Sequence, residues 1–410
     1  MSVNQMATDR LENINFTRMR EYRLRRAKEY MEKFGIGTLI TWDAYNIRYI
    51  AGVYVTVPTR WQETQFVVLP RNGEPYVFCV TSFSPQAMEE EMPWLKGHVC
   101  IRPAGAGRQA FGPDNLALFV DTIGKIVADH GLTNEPIGLD GCSTELFYQE
   151  AFARKGFKVV DGQEAMFRAR AIKNIDEINC VEIACSMAEA AFSDIQRAIR
   201  PGVRECELVG IGMNRLYSLG ADECQEFVCS SGPRTNPLHI DYTDRIIRNG
   251  DLICVDINGN SYNTYKSCYY RTFCCGKASQ EQKEAFDVAK KILYDSMARV
   301  KAGATARDVA EGWPKSPEFW GYGPDEWGII SGYALAHGCG LSLHEFPNFR
   351  PFSVKTQDYT LEEGMVLAME TWYGPRGGDF GIRLEEMVAV TKDGYKLLTK
   401  APIDGIIECY

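Results

Sequence analysis

The second half of this 410-residue chain gathers the residue types that ligate dications and move protons. The segment His337-Gly338-Cys339-Gly340-Leu341-Ser342-Leu343-His344-Glu345-Phe346-Pro347 carries two imidazoles among glycines. Glu370 and Glu385 each close an apolar run, and Asp256-Ile257-Asn258 precedes Cys268. Asp, His and Glu together normally ligate a hard or borderline dication that activates water. Here an amide and a thiol stand where a second carboxylate is expected. The residues therefore leave two chemistries open: hydrolysis at one divalent ion (zinc, iron or manganese), or a metal-free site.

These side chains need strands to aim them. Leu252-Ile253-Cys254-Val255 reads as a buried strand delivering Asp256, and its period of two puts Asn258 on the same face. A hairpin returning through Tyr265 brings Cys268 beside Asp256, ahead of Tyr270 and Arg271-Thr272-Phe273. Val366-Leu367-Ala368-Met369 and Gly381-Ile382-Arg383-Leu384 are the strands that carry Glu370 and Glu385, with Glu386 on the opposite face. Burying two carboxylates without partners is costly, so a cation, a bound proton or Arg383 must offset it. Glycines beside His337 permit close backbone approach.

Bulk properties narrow the class. Hydrophobic residues at 45% and charged residues at 24% suit a globular enzyme. The length predicts two domains. A net charge of −9 and a pI near 5.3 disfavour nucleic acid or an anionic membrane as partner. No apolar run approaches about 20 residues and no leader pattern opens the chain, so a cytoplasmic location is expected. The 14 cysteines are scattered, with Cys274-Cys275 the one close pair, which predicts reduced structural thiols.

The first part alternates helix and strand: a helix over 11–34, a strand at 37–41, paired strands around Arg71-Asn72-Gly73, a helix over 116–130 and a strand at 137–140. This is an α/β domain with a mixed sheet. The pattern changes near Arg170-Ala171-Ile172-Lys173, which divides the chain into domains 1–169 and 170–410. A long helix from Ile175 stops at Pro201-Gly202, and a second, capped by Ser279 and Gln282, runs to Gly303. Their similar exits fit an internal duplication of αβ units.

In order along the chain, several motifs resemble the creatinase/aminopeptidase P/prolidase superfamily of "pita-bread" enzymes. They are Asn46-Ile47-Arg48-Tyr49 with Gly52, Arg170 to Lys173, Ser231-Gly232-Pro233, Asp256, Arg271-Thr272-Phe273, the His337–Pro347 segment, Glu370 and Arg383-x-Glu385. The resemblance implies an N-terminal creatinase-like α/β domain and a C-terminal pita-bread domain with a curved antiparallel sheet. It implies a homodimer acting on a small-molecule substrate. Metal-binding relatives hold two dications, and Asp256, His337, Glu370 and Glu385 match four of their ligands. Cys268 replaces the bridging carboxylate, leaving one metal ion held with Cys268, or none. Creatinase, the metal-free precedent, aligns its catalytic His with His239, while Tyr270 stands in place of its Glu.

The chain also resembles the dimethylsulfoniopropionate lyase branch through Ser231-Gly232-Pro233-Arg234-Thr235-Asn236-Pro237 and Gly377-Gly378-Asp379-Phe380. That branch has an Asp-x-Asp pair where Asp256-x-Asn258 stands here, and its proton-abstracting Asp falls near His344. The leading expectation is a hydrolase of the C–N bond in a small zwitterionic substrate or Xaa-Pro-like dipeptide. His239, His344, Glu370 and Glu385 are its catalytic candidates, and Arg60, Asn258, Tyr270 and Arg383 its substrate-binding ones. A lyase and a non-catalytic binding protein are the alternatives. The aromatics Trp313, Phe319, Trp320, Tyr322 and Trp327 either cover the core or cage a quaternary ammonium.

Overall fold

The structure, a computed structural model, describes residues 13–55, 63–79, 85–103, 113–141, 145–326, 333–350 and 359–410. Arg60 and Trp327 lie outside them. The chain forms two compact units, Asn15–Arg170, and Ala171–Tyr410 with Ile14.

The first unit is a six-stranded mixed sheet. Its strands are β1 (Thr38–Thr41), β2 (Phe66–Pro70), β3 (Tyr76–Cys79), β4 (Val99–Ile101), β5 (Ile137–Asp140) and β6 (Val159–Asp161), in the order β4-β3-β2-β1-β5-β6. The hairpin expected around Arg71-Asn72-Gly73 is present, with Phe66 opposite Phe78 and their rings stacked at 4.6 Å. The first helix spans Phe16–Lys33 and starts later than its charge pattern suggested, because Asn15 accepts the Arg18 N–H at 2.9 Å and caps it. Its buried positions Met19, Arg23, Ala27 and Met31 recur every four residues, one stripe of an amphipathic helix.

A polar knot ties this unit together. Asp140, at the end of β5, accepts from Thr41 Oγ1 and Asn46 Nδ2, and Asn46 Oδ1 in turn accepts from Arg170. Burial, and then the Asp43 carboxylate, raise the Asp140 pKa to about 7 despite those bonds.

The second unit repeats one pattern twice: a long helix, a shorter helix, then a run of strands. The first copy has helices Ile175–Ala198 and Glu205–Ser218, then β7 (Glu226–Ser231) and β8 (Leu252–Asn258). A small separate hairpin of β9 (Asn260–Tyr262) and β10 (Tyr265–Ser267) follows, before β11 (Tyr270–Cys275). The second copy has helices Gln280–Met297 and Ala306–Ala310, then β12 (Ala334–Gly338), β13 (Glu345–Phe349), β14 (Val366–Tyr373) and β15 (Ile382–Val390). Short strands β16 (Tyr395–Leu397) and β17 (Ile407–Cys409) close the chain.

Both long helices begin at reciprocal capping boxes, Asn174 with Glu177 and Ser279 with Gln282. The second ends at Met297, short of Gly303, where the Ala298 N–H bonds back to Tyr294 O. Its Phe286, Ala289, Leu293 and Met297 belong to one core with Leu367, Met369, Leu384 and Val388 of the strands below.

The strands form two sheets, β17-β11-β8-β7 and β13-β12-β14-β15-β16, antiparallel except for the parallel β11–β17 pair. Side chains join them. Thr272 Oγ1 donates to Arg383 O at 2.8 Å and accepts its N–H at 3.1 Å, and Arg271 donates to Glu385 O at 2.7 Å. Every cysteine among the described residues is free. No helix among them is long and apolar enough to cross a membrane.

The raised Asp140 pKa sets a pH signature. Unfolded, Asp140 titrates near 4; folded, near 7, so its contribution is complete below about 4 and is lost as pH rises through about 7. Asp140→Asn, which does not titrate, should gain stability relative to the parent between pH 5 and pH 8 in urea unfolding of the full chain. Parallel stability–pH curves for the two proteins would count against this account.

Candidate active site

Strands β8, β12, β14 and β15, with the turn before β11, deliver one buried polar cluster. Asp256 and Asn258 share a face of β8, opposite Tyr270 of β11 and Glu226 of β7 respectively. Cys268 sits between β10 and β11. Its Sγ donates to Asn258 Oδ1 at 2.8 Å and lies 3.8 Å from His337 Nε2. The return of the chain therefore places the thiol against Asn258, with Asp256 acting on it through charge.

His337 lies at a bulge, where the β12–β13 register shifts between His337 and Gly338. A Cβ on Gly338 would fall 2.4 Å from Phe346 O, so glycine is required there. The imidazole Nδ1 donates to Gly338 O at 3.0 Å. A carbonyl only accepts, so Nδ1 carries a proton and Nε2 is the nitrogen turned toward the cluster. It lies 3.4 Å from Glu370 Oε1.

Glu370 and Glu385 are direct cross-strand partners on β14 and β15. Arg383, two residues before Glu385 and on the same face, pairs with Glu370 and lies 5.0 Å over the Tyr270 ring. Glu386 points to the other face, where it meets Arg271 at 2.9 Å. Apart from glancing approaches of Tyr270 to Asp256 and of Cys268 to Glu385, neither of those two carboxylates has a hydrogen-bond partner.

The charges respond accordingly. Burial, then the charge on Glu370, push Asp256 and Glu385 well above the usual carboxylate range. Burial would raise Glu370 too, but Arg383 and then His337 outweigh it and hold that group down to about 2. Burial, Glu385 and Asp256 drive the Cys268 thiol up. His344 lies outside this buried set, on the exposed loop, yet its ring sits 4.2 Å from that of His337. Desolvation and His337 lower its pKa to about 4, leaving a neutral imidazole at pH 7.

Residues 179–392 match the metallopeptidase family M24, and residues 23–172 match the creatinase/prolidase N-terminal domain. The chain belongs to metallopeptidase family M24. A Xaa-Pro dipeptidase of Pyrococcus furiosus is 30% identical over 65% of this chain and 74% of its own length. A dimethylsulfoniopropionate lyase of Roseovarius nubinhibens is 27% identical over 98% of this chain and 91% of its own. Among solved structures, a prolidase of Thermococcus sibiricus superposes with a TM-score of 0.74 at 21% identity, covering 95% of this chain and 99% of that one. A Xaa-Pro dipeptidase of Bacillus anthracis gives 0.73 at 22% identity, covering 94% and 99%.

A metal ion, which the family name implies, fits the residues present in this M24 chain. One donor atom each from Cys268, His337 and Glu385 lies within 4.8 Å of the others. The unpartnered Glu385 oxygens, and His337 Nε2 beside Glu370, are atoms a dication would bring together. A second ion fits less well, because the Arg383 guanidinium already faces Asp256, Glu370 and Glu385.

Other expected residues fall elsewhere. His239 is exposed, and its backbone N–H donates to Arg234 O at 3.0 Å in the loop after β7, outside the buried cluster. Asn258, Tyr270 and Arg383 are all buried in the site wall. The aromatic cage does not form among the described residues. Trp320, Tyr322, Tyr333 and Trp372 pack on one another as a separate core, Trp320 Nε1 donates to Trp372 O, and Trp313 packs tilted against Phe349 instead. Apolar burial of those rings outweighs any use as a cation box.

Two supports were absent from the sequence reading. Lys173 and Glu345 form an ion pair at 2.6 Å with both side chains 1% exposed, beneath the loop joining His337 to His344. Glu226 hydrogen-bonds Asn258 across β7 and β8. Both depend on strand register and long-range packing, for which the local sequence holds no signal.

The Arg383–Glu370 pair is buried on both sides. Arg383→Met should cost about 3–5 kcal/mol by stranding the Glu370 charge. Adding Glu370→Gln should recover part of that loss in urea unfolding. Simple additivity of the two losses would contradict the pairing.

Proposed function

We propose that the chain hydrolyses a C–N bond of a small zwitterionic substrate, of which an Xaa-Pro dipeptide is the model, at a centre holding one divalent ion. The observation that carries this reading is the convergence of Cys268, His337 and Glu385 donor atoms within 4.8 Å. In this reading Cys268, His337, Glu370 and Glu385 hold the ion, and zinc or ferrous iron suits a donor set that includes a thiolate. When bound, the ion supplies Lewis-acid polarisation of the scissile carbonyl.

The chain's own side chains do the remaining work. Arg383 fixes Glu370 as a carboxylate and keeps it aimed at His337. The Nδ1–H bond to Gly338 O holds the His337 ring in one tautomer, so its Nε2 faces the cluster. Glu370, held ionised by Arg383, supplies the standing negative charge, and the buried Asp256 and Glu385 would ionise beside a bound cation, where water screens the attraction little. His344 is neutral at pH 7 and sits at the rim, able to take a proton from water or return one to the leaving nitrogen. His239 enters this reading as a second acid/base group through the sequence resemblance to creatinase, and Arg60 as a carboxylate anchor supplied by a second subunit of a homodimer.

Similarity to the Roseovarius lyase over 98% of this chain supports a second reading, elimination from a sulfonium carboxylate. The two differ in product. An Xaa-Pro dipeptide yields free proline, whereas elimination yields an alkenoic acid and a thioether.

Protein purified without added metal should carry one equivalent of zinc or iron, and Cys268→Ala or His337→Ala should lose it together with turnover. Turnover that survives exhaustive chelation would refute the metal centre. His344→Ala should lower kcat by about 10²–10⁴ with the metal retained, and an unchanged kcat would remove His344 from the chemistry. Assaying one preparation for both product sets decides between hydrolysis and elimination.

A further inference from the structure

We propose that Glu226 is a positioning residue that acts on the centre through the Asn258 amide; this rests on the reading of Cys268 as a metal ligand. Glu226 is exposed at the start of β7 and lies directly opposite Asn258 in the β7–β8 register. Its Oε2 accepts from Asn258 Nδ2 at 3.3 Å. At the inner end, Asn258 Oδ1 accepts from Cys268 Sγ at 2.8 Å. One side-chain amide thus spans from a solvent-facing carboxylate to the buried sulfur.

An amide can sit either way round with almost no change in shape, and its neighbours decide which way. Cys268 does not decide, because a thiol donates and its sulfur also accepts weakly. Glu226 does decide, because a carboxylate only accepts and so demands the NH2 end. The oxygen is then turned inward, against Cys268, whose sulfur lies 3.8 Å from His337 Nε2. Its lone pairs add a neutral donor next to the cation position. The reversed amide would aim two N–H protons at that position and repel a cation. Glu226 therefore tunes cation binding without touching the ion. Glu226 also lines an open groove with Phe227, Ile240 and Tyr242, on the solvent side of Asn258.

Glu226→Gln tests this, since glutamine satisfies either orientation of Asn258 and lets the amide populate both. Cobalt(II) titration of the full apo chain reads affinity, and the sulfur-to-cobalt charge-transfer band reads Cys268 ligation. Glu226→Gln should weaken cobalt(II) binding by about 10-fold or more, in line with outer partners of metal ligands, at an unchanged melting temperature. In an Asn258→Ala background the same substitution should have no further effect. Cobalt affinity of Glu226→Gln within twofold of the parent, or a loss that persists in the Asn258→Ala background, would overturn the proposal.

A parent protein without the sulfur-to-cobalt band would instead refute Cys268 as a ligand. The Glu226 relay is then read from metal-free unfolding: Glu226→Gln and Cys268→Ala should be non-additive in stability, and additivity would overturn the relay as well.

Discussion

The organising constraint of this protein is like charge in a confined, dry space. Asp256, Glu370 and Glu385 stand on facing strands, all nearly out of water, with Arg383 as the full positive charge paired among them. One guanidinium can hold one carboxylate ionised, and it holds Glu370. The other two are driven toward their neutral forms by burial and by that neighbour. A site with this imbalance has an intrinsic appetite for a cation, whether a metal ion or a substrate ammonium. Such an arrangement does not stabilise a fold by itself, so the surrounding structure must hold it.

That support comes from repetition. Two helix–helix–strand copies supply two mainly antiparallel sheets, and the seam between β11 and β15 is stitched by Thr272 and Arg271 to the backbone of Arg383 and Glu385. The same strand alternation that turns Glu385 inward turns Glu386 outward, where Arg271, Thr399 and Tyr294 satisfy it. Adjacent glutamates thus have opposite fates. One is fully paired and structural, while the other has no proper partner and is available for binding. On the other sheet, the β12 bulge and the buried Lys173–Glu345 pair hold His337 and His344 in ring contact.

Much of this was readable from local patterns. Apolar runs ending in Asp256, Glu370 and Glu385 are strands because uninterrupted Val, Ile and Leu have no other stable place than between packed layers. The Ser279–Gln282 box marked a helix start because its two bonds are local. Where local patterns left a choice open, non-local forces made it. The aromatics near 313–322 could cover the core or form a cage, and Trp313, Trp320 and Tyr322 pack as core. The helix over Phe16–Lys33 begins there because Asn15 caps it.

The sequence alone determined the element types, the family, and the set of residues able to ligate or titrate, because these follow from side-chain chemistry and from periods of two and 3.6 along the chain. Tertiary structure decided which of those residues meet. It put Cys268 against Asn258 instead of squarely on Asp256, gave Glu370 rather than Glu385 to Arg383, and brought Glu226 to the back of the site. The reason is register: a partner across a sheet is chosen by the sum of packing over whole strands, and no single residue encodes it.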